Sequence, residues 1–164
     1  MARILYIIRG PSGTGKSTIA QHISEQIVAE TTPHELNRCI EYGNLPPVIE
    51  ADDFWGPNYA FNPEFIGDAH KWCQLNVKRE MIAGSKHIIV SNTSIKNRDM
   101  KAYIDMAEQF GYEVDIIRTP GPWSVEDSNT RNVHGVPLFA LEKQHGGYQE
   151  HPNEREWNDR SIFV

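Results

Sequence analysis

The chain has 164 residues, 39% hydrophobic and 23% charged, the composition of a globular protein long enough for one domain with its own core. Its formal net charge is −6, whereas non-specific nucleic-acid binders usually carry a basic surplus, because phosphate contacts supply most of their affinity. No apolar run is long enough to cross a membrane, the chain opens on a strand rather than a leader, and Cys39 and Cys73 make no metal pattern, so a reduced, cytoplasmic protein is expected.

Residues 4–8 are a buried-strand run, Ile-Leu-Tyr-Ile-Ile. Residues 10–18 then read Gly-Pro-Ser-Gly-Thr-Gly-Lys-Ser-Thr, a complete G-x-x-x-x-G-K-[ST] loop at Gly10, Gly15, Lys16 and Ser17. A helix is predicted over 17–30, with Ile19, Ala20, Ile23, Ile27 and Val28 at helical spacing. Strand, loop and helix in this order are a phosphate cradle. Glycines let backbone N–H groups approach phosphate closely, and the helix N-terminus adds partial positive charge. Gly10, Ser12, Gly13, Thr14, Gly15, Lys16, Ser17 and Thr18 are therefore the expected nucleotide-binding residues. Lys16 is expected to reach the β- and γ-phosphates and the Ser17 hydroxyl to ligate Mg²⁺. With no guanine-reading motif evident, ATP is the default nucleotide.

Residues 31–45 are polar, with a short helix predicted near 34–42 and a turn at Pro46-Pro47. A short strand at 48–51 ends in Asp52-Asp53, and 54–62 is read as an aromatic loop or lid. Asn62 and Pro63 open a long helix to about Ala83, which Gly84 stops. The strand at 87–90 runs into Ser91-Asn92-Thr93-Ser94, a helix follows over about 97–110, and Gly111 ends it. A fourth strand at 114–117, a turn at Pro120-Gly121-Pro122 and helices over about 125–131 and 138–145 complete the pattern. From Gly146 onward the chain is read as a polar, irregular tail.

Alternating strands and helices imply an α/β fold: a parallel sheet with helices on both faces, here in one domain over 1–164. Ligands in such sheets lie at the carboxyl ends of the strands, so the loop at 10–18, Asp52-Asp53 and Asn92-Thr93 should converge on one cleft. Asp52 is the candidate base for an acceptor hydroxyl, and Asp53 the runner-up. Asn92 and Thr93 are read as holding the acceptor or the metal's water shell, or as an ordinary turn. No acid stands at Ser91-Asn92, which weakens a motor-type ATPase reading and favours a small kinase. Arg131 is a candidate phosphate clamp in a mobile lid, or a helix C-terminal cation. Trp55, Tyr59 and Phe61 either stack on a base or nucleoside or close the loop over the core. His134 is read as a turn residue. Lys78, Arg79, Lys96, Arg98, Lys101, Arg118 and Arg131 form either a local basic patch or, more simply, a solvated surface.

These blocks in order, with Trp123 and the Arg-Asn-Val-His-Gly-Val-Pro run at 131–137, resemble the P-loop kinases related to the kinase domain of phage polynucleotide kinase. The resemblance covers residues 3–148, and the 131–137 block resembles one branch of that family still more closely. It implies an adenylate-kinase-like P-loop NTPase core and ATP-dependent transfer to a hydroxyl, in the best-known members a nucleic-acid 5′-OH. By position, Lys16 and Ser17 match the triphosphate and Mg²⁺ residues, Asp52 the general base, and Arg131 the lid segment bearing the clamping arginine. Trp55 stands where that family has an arginine for the acceptor's 3′-phosphate, the lid block is shorter and less basic, and the stretch from the first helix to Asp52 is longer. The expected acceptor is a polynucleotide 5′-OH. The alternatives are a nucleoside, nucleotide or other small hydroxyl metabolite, or a non-catalytic NTP-binding regulator.

Overall fold

The computed structural model describes residues 2–31, 34 and 46–158. Strand β1, Arg3–Arg9, is buried from Leu5 onward, as befits a strand covered on both faces. Helix α1, Lys16–Glu30, follows the loop and buries Ile19, Ala20, Ile23 and Ile27. Strand β2 is Val48–Ile49, shorter than predicted because the backbone turns into a 3-10 helix over Ala51–Trp55. Asn62 accepts the Glu64 N–H at 3.0 Å, and a 3-10 turn, Pro63–Phe65, leads into α2, Ile66–Ala83. Strand β3, His87–Ser91, another 3-10 turn, Asn97–Met100, and helix α3, Lys101–Phe110, come next. Gly84 and Gly111 end α2 and α3 in left-handed conformations, φ 80° and 76°, which only glycine adopts cheaply. Strand β4 is Tyr112–Arg118, α4 is Val125–Thr130, α5 is Leu138–Gly147 and β5 is Glu154–Glu156. The predicted helix near 34–42 and Cys39 fall essentially outside the described residues.

All described strands join one parallel sheet in the order β2-β3-β1-β4-β5. Strand side chains alternate between faces, and the core divides accordingly. Leu5, Ile7, Ile88, Val90 and Ile116 pack with Cys73, Val77 and Met81 of α2 and with Tyr103 and Ala107 of α3. Tyr6, Ile8, Ile89 and Ile117 pack with α1 on the opposite face. No helix is long and apolar enough to cross a membrane among the described residues.

The expectation of an irregular tail from Gly146 is corrected within the described residues. Helix α5 runs through Gly147, and β5 pairs with β4, Ile117 beside Arg155. Polar sequence hid this strand because ion pairs rather than apolar burial hold it. Arg155 donates to both Asp115 carboxylate oxygens at 2.9 and 3.0 Å, and Arg118 donates to Glu156 at 2.6 Å. Trp157, just beyond, is buried against the α1 face.

The tail is also tied to the end of β1 by Arg9, whose side chain is fully buried. Its Nε and Nη2 donate to the Ser94 carbonyl at 3.0 and 2.5 Å, and Nη2 reaches the Ile95 carbonyl at 3.1 Å. Nη1 donates to the Gln149 carbonyl at 2.8 Å and to Glu154 at 3.0 Å. The guanidinium lies 4.3 Å over the Tyr148 ring. Breaking a buried pair strands its partner's charge, so Arg9→Met should cost ~3–5 kcal/mol of stability. Urea unfolding, with Lys101→Met at the exposed Lys101–Asp105 pair as the near-neutral control, checks this.

Candidate active site

The phosphate loop leaves β1 directly after Arg9. The Gly10 N–H donates to the Thr93 carbonyl at 3.1 Å, so the loop's base hangs on the segment after β3. Gly10 has φ 153°, and a side chain there would overlap the hydroxyls of Thr14 and Thr119. These hydroxyls form a chain: Thr119 donates to Thr14 at 2.8 Å, and Thr14 donates to the Pro11 carbonyl at 2.7 Å. Gly13, φ 76°, faces the Ser128 carbonyl so closely that a Cβ would overlap it. Helix α4 therefore sits on the loop. Helix α5 touches it too, because the Ser12 N–H donates to Gln144 Oε1 at 2.8 Å. Gly15, φ 102°, is the left-handed residue before α1, and Thr18 lies exposed on its first turn.

Lys16 turns back along the loop and donates to the Pro11 carbonyl at 3.1 Å. Burial lowers its ammonium to about 8, while the charges of Asp52 and Glu50 pull the other way. Ser17 donates to Glu50 Oε1 at 3.2 Å. Burial raises the Glu50 carboxyl above the usual carboxylate range, the charge of Asp53 adds to this, and the Ser17 hydrogen bond opposes it. Asp53 is raised by burial and then by Asp52. The Asp-Asp turn thus faces the loop's lysine and serine, as the strand-end argument requires.

Asp52 is half exposed and accepts a hydrogen bond from the Tyr59 hydroxyl at 3.2 Å. His134 Nε2 lies 3.7 Å from its other oxygen. Tyr59 and His134 stack at 4.1 Å with ring planes 16° apart. Tyr59 holds a left-handed φ of 46°, a strained state that a loop keeps only when its surroundings fix it. Burial, with the Asp52 charge second, pushes its phenol up to about 12. Glu50, Asp52, Asp53, Gly56, Pro57, Tyr59 and His134 line an open cleft of ≈ 350 Å³.

Sequence alone placed His134 in a turn and nothing more. The turn is real: Asn132 donates to the Val136 carbonyl at 2.6 Å and accepts the Val136 N–H at 3.1 Å. Gly135, φ 65°, makes the reversal. Closed on itself in this way, the 131–137 block projects His134 onto Asp52. Arg131 is exposed at the C-terminal end of α4, whose Ser128 abuts Gly13.

Other candidates serve the walls. Trp55 is 8% exposed and packs edge-on against Phe54 and Phe61, at 5.1 Å from each ring, so its ring is in the wall rather than in the cleft. Asn92 accepts the Ala51 N–H at 2.9 Å and donates to Cys73 Sγ at 3.6 Å, so its amide fixes the start of the Asp-Asp turn. Thr93 contributes the carbonyl under Gly10. Of the scattered cations, Lys96 donates to the Gly147 carbonyl, Lys101 pairs with Asp105 and Arg118 with Glu156, while Lys78, Arg79, Arg98 and Arg131 are exposed.

Solved structures of similar fold include P-loop kinases. The Pnkp1/Rnl/Hen1 RNA repair complex superposes with TM-score 0.62 and 16% identity, covering 89% of this chain and 44% of that one. The Mycobacterium tuberculosis APS kinase CysC, solved with AMPPNP and APS, superposes with TM-score 0.58 and 18% identity over 98% and 91% of the two chains. This chain has the fold of the P-loop kinases. No protein-family model matches it. A sequence relative, human NEDD4-binding protein 2, is 26% identical over 151 residues, covering 89% of this chain but only 8% of its own length.

The Lys16 shift has a defined sign. Below pH 8 the ammonium is already charged, and polyphosphate binds without proton uptake. Above pH 8 the neutral amine predominates and must be protonated on binding. Nucleotide affinity should therefore fall by up to about tenfold per pH unit above 8, and calorimetry at pH 9 should show a buffer-dependent enthalpy from proton uptake. In Lys16→Met both effects should vanish. Separately, Gly13→Ala should push α4 off the loop and weaken nucleotide binding, read by the same titration at pH 7.

Proposed function

We propose that this protein is an ATP-dependent kinase that transfers the γ-phosphate to a hydroxyl, most specifically the 5′-OH of a polynucleotide. The observation that carries the reading is that Glu50, two residues before Asp52, accepts the loop's Ser17 hydroxyl at 3.2 Å, which brings the Asp-Asp turn, with Asp52 lining the cleft, up to the loop. The kinase-like fold of the neighbours, the RNA repair complex among them, supports it.

The loop's N–H groups and Lys16 hold the triphosphate. The acceptor enters the cleft beside Asp52, which takes the hydroxyl proton as its oxygen attacks the γ-phosphorus in line. One oxygen–phosphorus bond forms, and the bond to the β-phosphate oxygen breaks, leaving ADP. Arg131 and Lys16 stabilise the charge on the transferred group. Tyr59 and His134 orient Asp52, and Asp53 lies at the acceptor's flank. Mg²⁺ fits the oxygen donors present, with the Ser17 hydroxyl among those that would hold it, and would neutralise phosphate charge when bound.

A second reading, transfer to a nucleoside or other small hydroxyl metabolite, is favoured by the acidic cleft, by Trp55 in place of a 3′-phosphate arginine, and by likeness to a kinase solved with a small acceptor. Label transfer from γ-labelled ATP to 5′-OH DNA and RNA oligonucleotides, nucleosides and 3′-mononucleotides separates the two. Asp52→Asn should lose roughly 10²–10⁴-fold in turnover and keep ATP binding. Transfer to small acceptors alone would replace the polynucleotide reading. An Asp52→Asn protein with unchanged turnover would remove Asp52 from the chemistry, and ATP binding with no transfer to any hydroxyl acceptor would leave a regulator.

A further inference from the structure

P-loop NTPases generally hold the nucleotide's Mg²⁺ between the loop's serine or threonine and an acid at the end of a neighbouring strand. Here the end of β3, the strand beside β1, carries Ser91, which is 4% exposed. Side chains alternate along a strand, so Ser91 shares the face of Ile89, which packs against α1. That is the face from which a strand-end acid would reach Ser17, and position 91 supplies none.

The next strand supplies one. Ile49 of β2 pairs with Val90 of β3, and both belong to the core on the α2 side. Glu50 continues in extended conformation, φ −130° and ψ 140°. One step along the register therefore places Glu50 beside Ser91, facing α1. Its carboxylate accepts the Ser17 hydroxyl at 3.2 Å.

We propose that Glu50 is the carboxylate of the metal site, relocated by one strand from the end of β3. With nucleotide bound, the ion takes the place now filled by the Ser17–Glu50 hydrogen bond, held by the serine hydroxyl and by Glu50 directly or through a water. This rests on the reading of the loop as an ATP site. It leaves Asp52, two residues on, as the group facing the acceptor.

The test is Mn²⁺ titration, followed by electron paramagnetic resonance, into the protein holding a non-hydrolysable ATP analogue. Glu50→Gln should bind the analogue in EDTA at least as tightly as wild type, because a negative charge has gone. Its ternary complex should hold Mn²⁺ on the order of tenfold or more weakly. Adding Ser91→Asp to Glu50→Gln should recover part of that loss. Unchanged Mn²⁺ affinity in Glu50→Gln overturns the assignment. So does an equal loss of analogue binding with and without metal, which would make Glu50 a structural partner of Ser17. Wild-type analogue binding that ignores Mn²⁺ overturns it together with the metal part of the reading above, and no analogue binding at all overturns the ATP site itself.

Discussion

The structure of the site depends on a buried cation at its base. Arg9 stands between the central strand and the first glycine of the loop, and burying an unpaired guanidinium would cost several kcal/mol. Its three nitrogens are instead matched to the Ser94, Ile95 and Gln149 carbonyls and to Glu154. Meeting that demand fixes the chain after β3, the chain after α5, and the edge strand β5. Ser94 is held with a left-handed φ of 43°, so even a strained backbone is recruited to aim a carbonyl at the guanidinium. A cradle for phosphate must be set before the ligand arrives if its N–H groups are to act without reorganising. Here the base is set by Arg9, and the tip by Ser128 and Gln144.

The opposite wall is acidic and close. Glu50 and Asp53 are both held above the usual carboxylate range, by burial first and by neighbouring carboxylates second. Lys16 is drawn down by burial while the charges of Asp52 and Glu50 support its own. The loop and the acidic turn thus compensate one another. A triphosphate entering between them displaces that balance: it takes Lys16 for itself and leaves the carboxylates facing more negative charge. A divalent cation near Ser17 is the natural counterweight, which is why the ion and the nucleotide are expected to bind as a unit.

The sequence made the strands, their order of appearance and the phosphate loop legible, because hydrophobic runs and a spaced glycine motif are local signals. The helix stops at Gly84 and Gly111 were legible for the same reason. What was not legible depends on distant partners. Arg9 reads as one more strand-end cation until the carbonyls around it are placed. Glu154-Arg155-Glu156 has no apolar face, and only Asp115, Arg118 and Arg9 reveal it as a strand. Trp55 follows two aspartates and invites a stacking role, yet Phe54 and Phe61 claim it for the wall. Gln144 gives no sign that it takes a loop N–H, and Glu50 none that it meets Ser17. His134 had a signal of its own, the Asn132–Gly135 turn that displays it, but its target could be found only across the cleft.

Electrostatics also constrains how an acceptor is held. A polynucleotide gripped along its backbone needs a track of free cations; Lys96 and Arg118 are engaged by partners within the protein, which leaves the exposed Lys78, Arg79, Arg98, Lys101 and Arg131 to supply one. The cleft beside Asp52 is lined by carboxylates, a tyrosine and a histidine. On the proposed reading, such a cleft would take the terminal nucleoside of a chain, with its free 5′-OH turned to Asp52, and repel a phosphate at that position. Phosphorylated product would meet the same repulsion, which favours its release. The proposed polynucleotide and nucleoside acceptors then present one chemical group to the site, and differ in what hangs from the 3′ side, beyond the carboxylates.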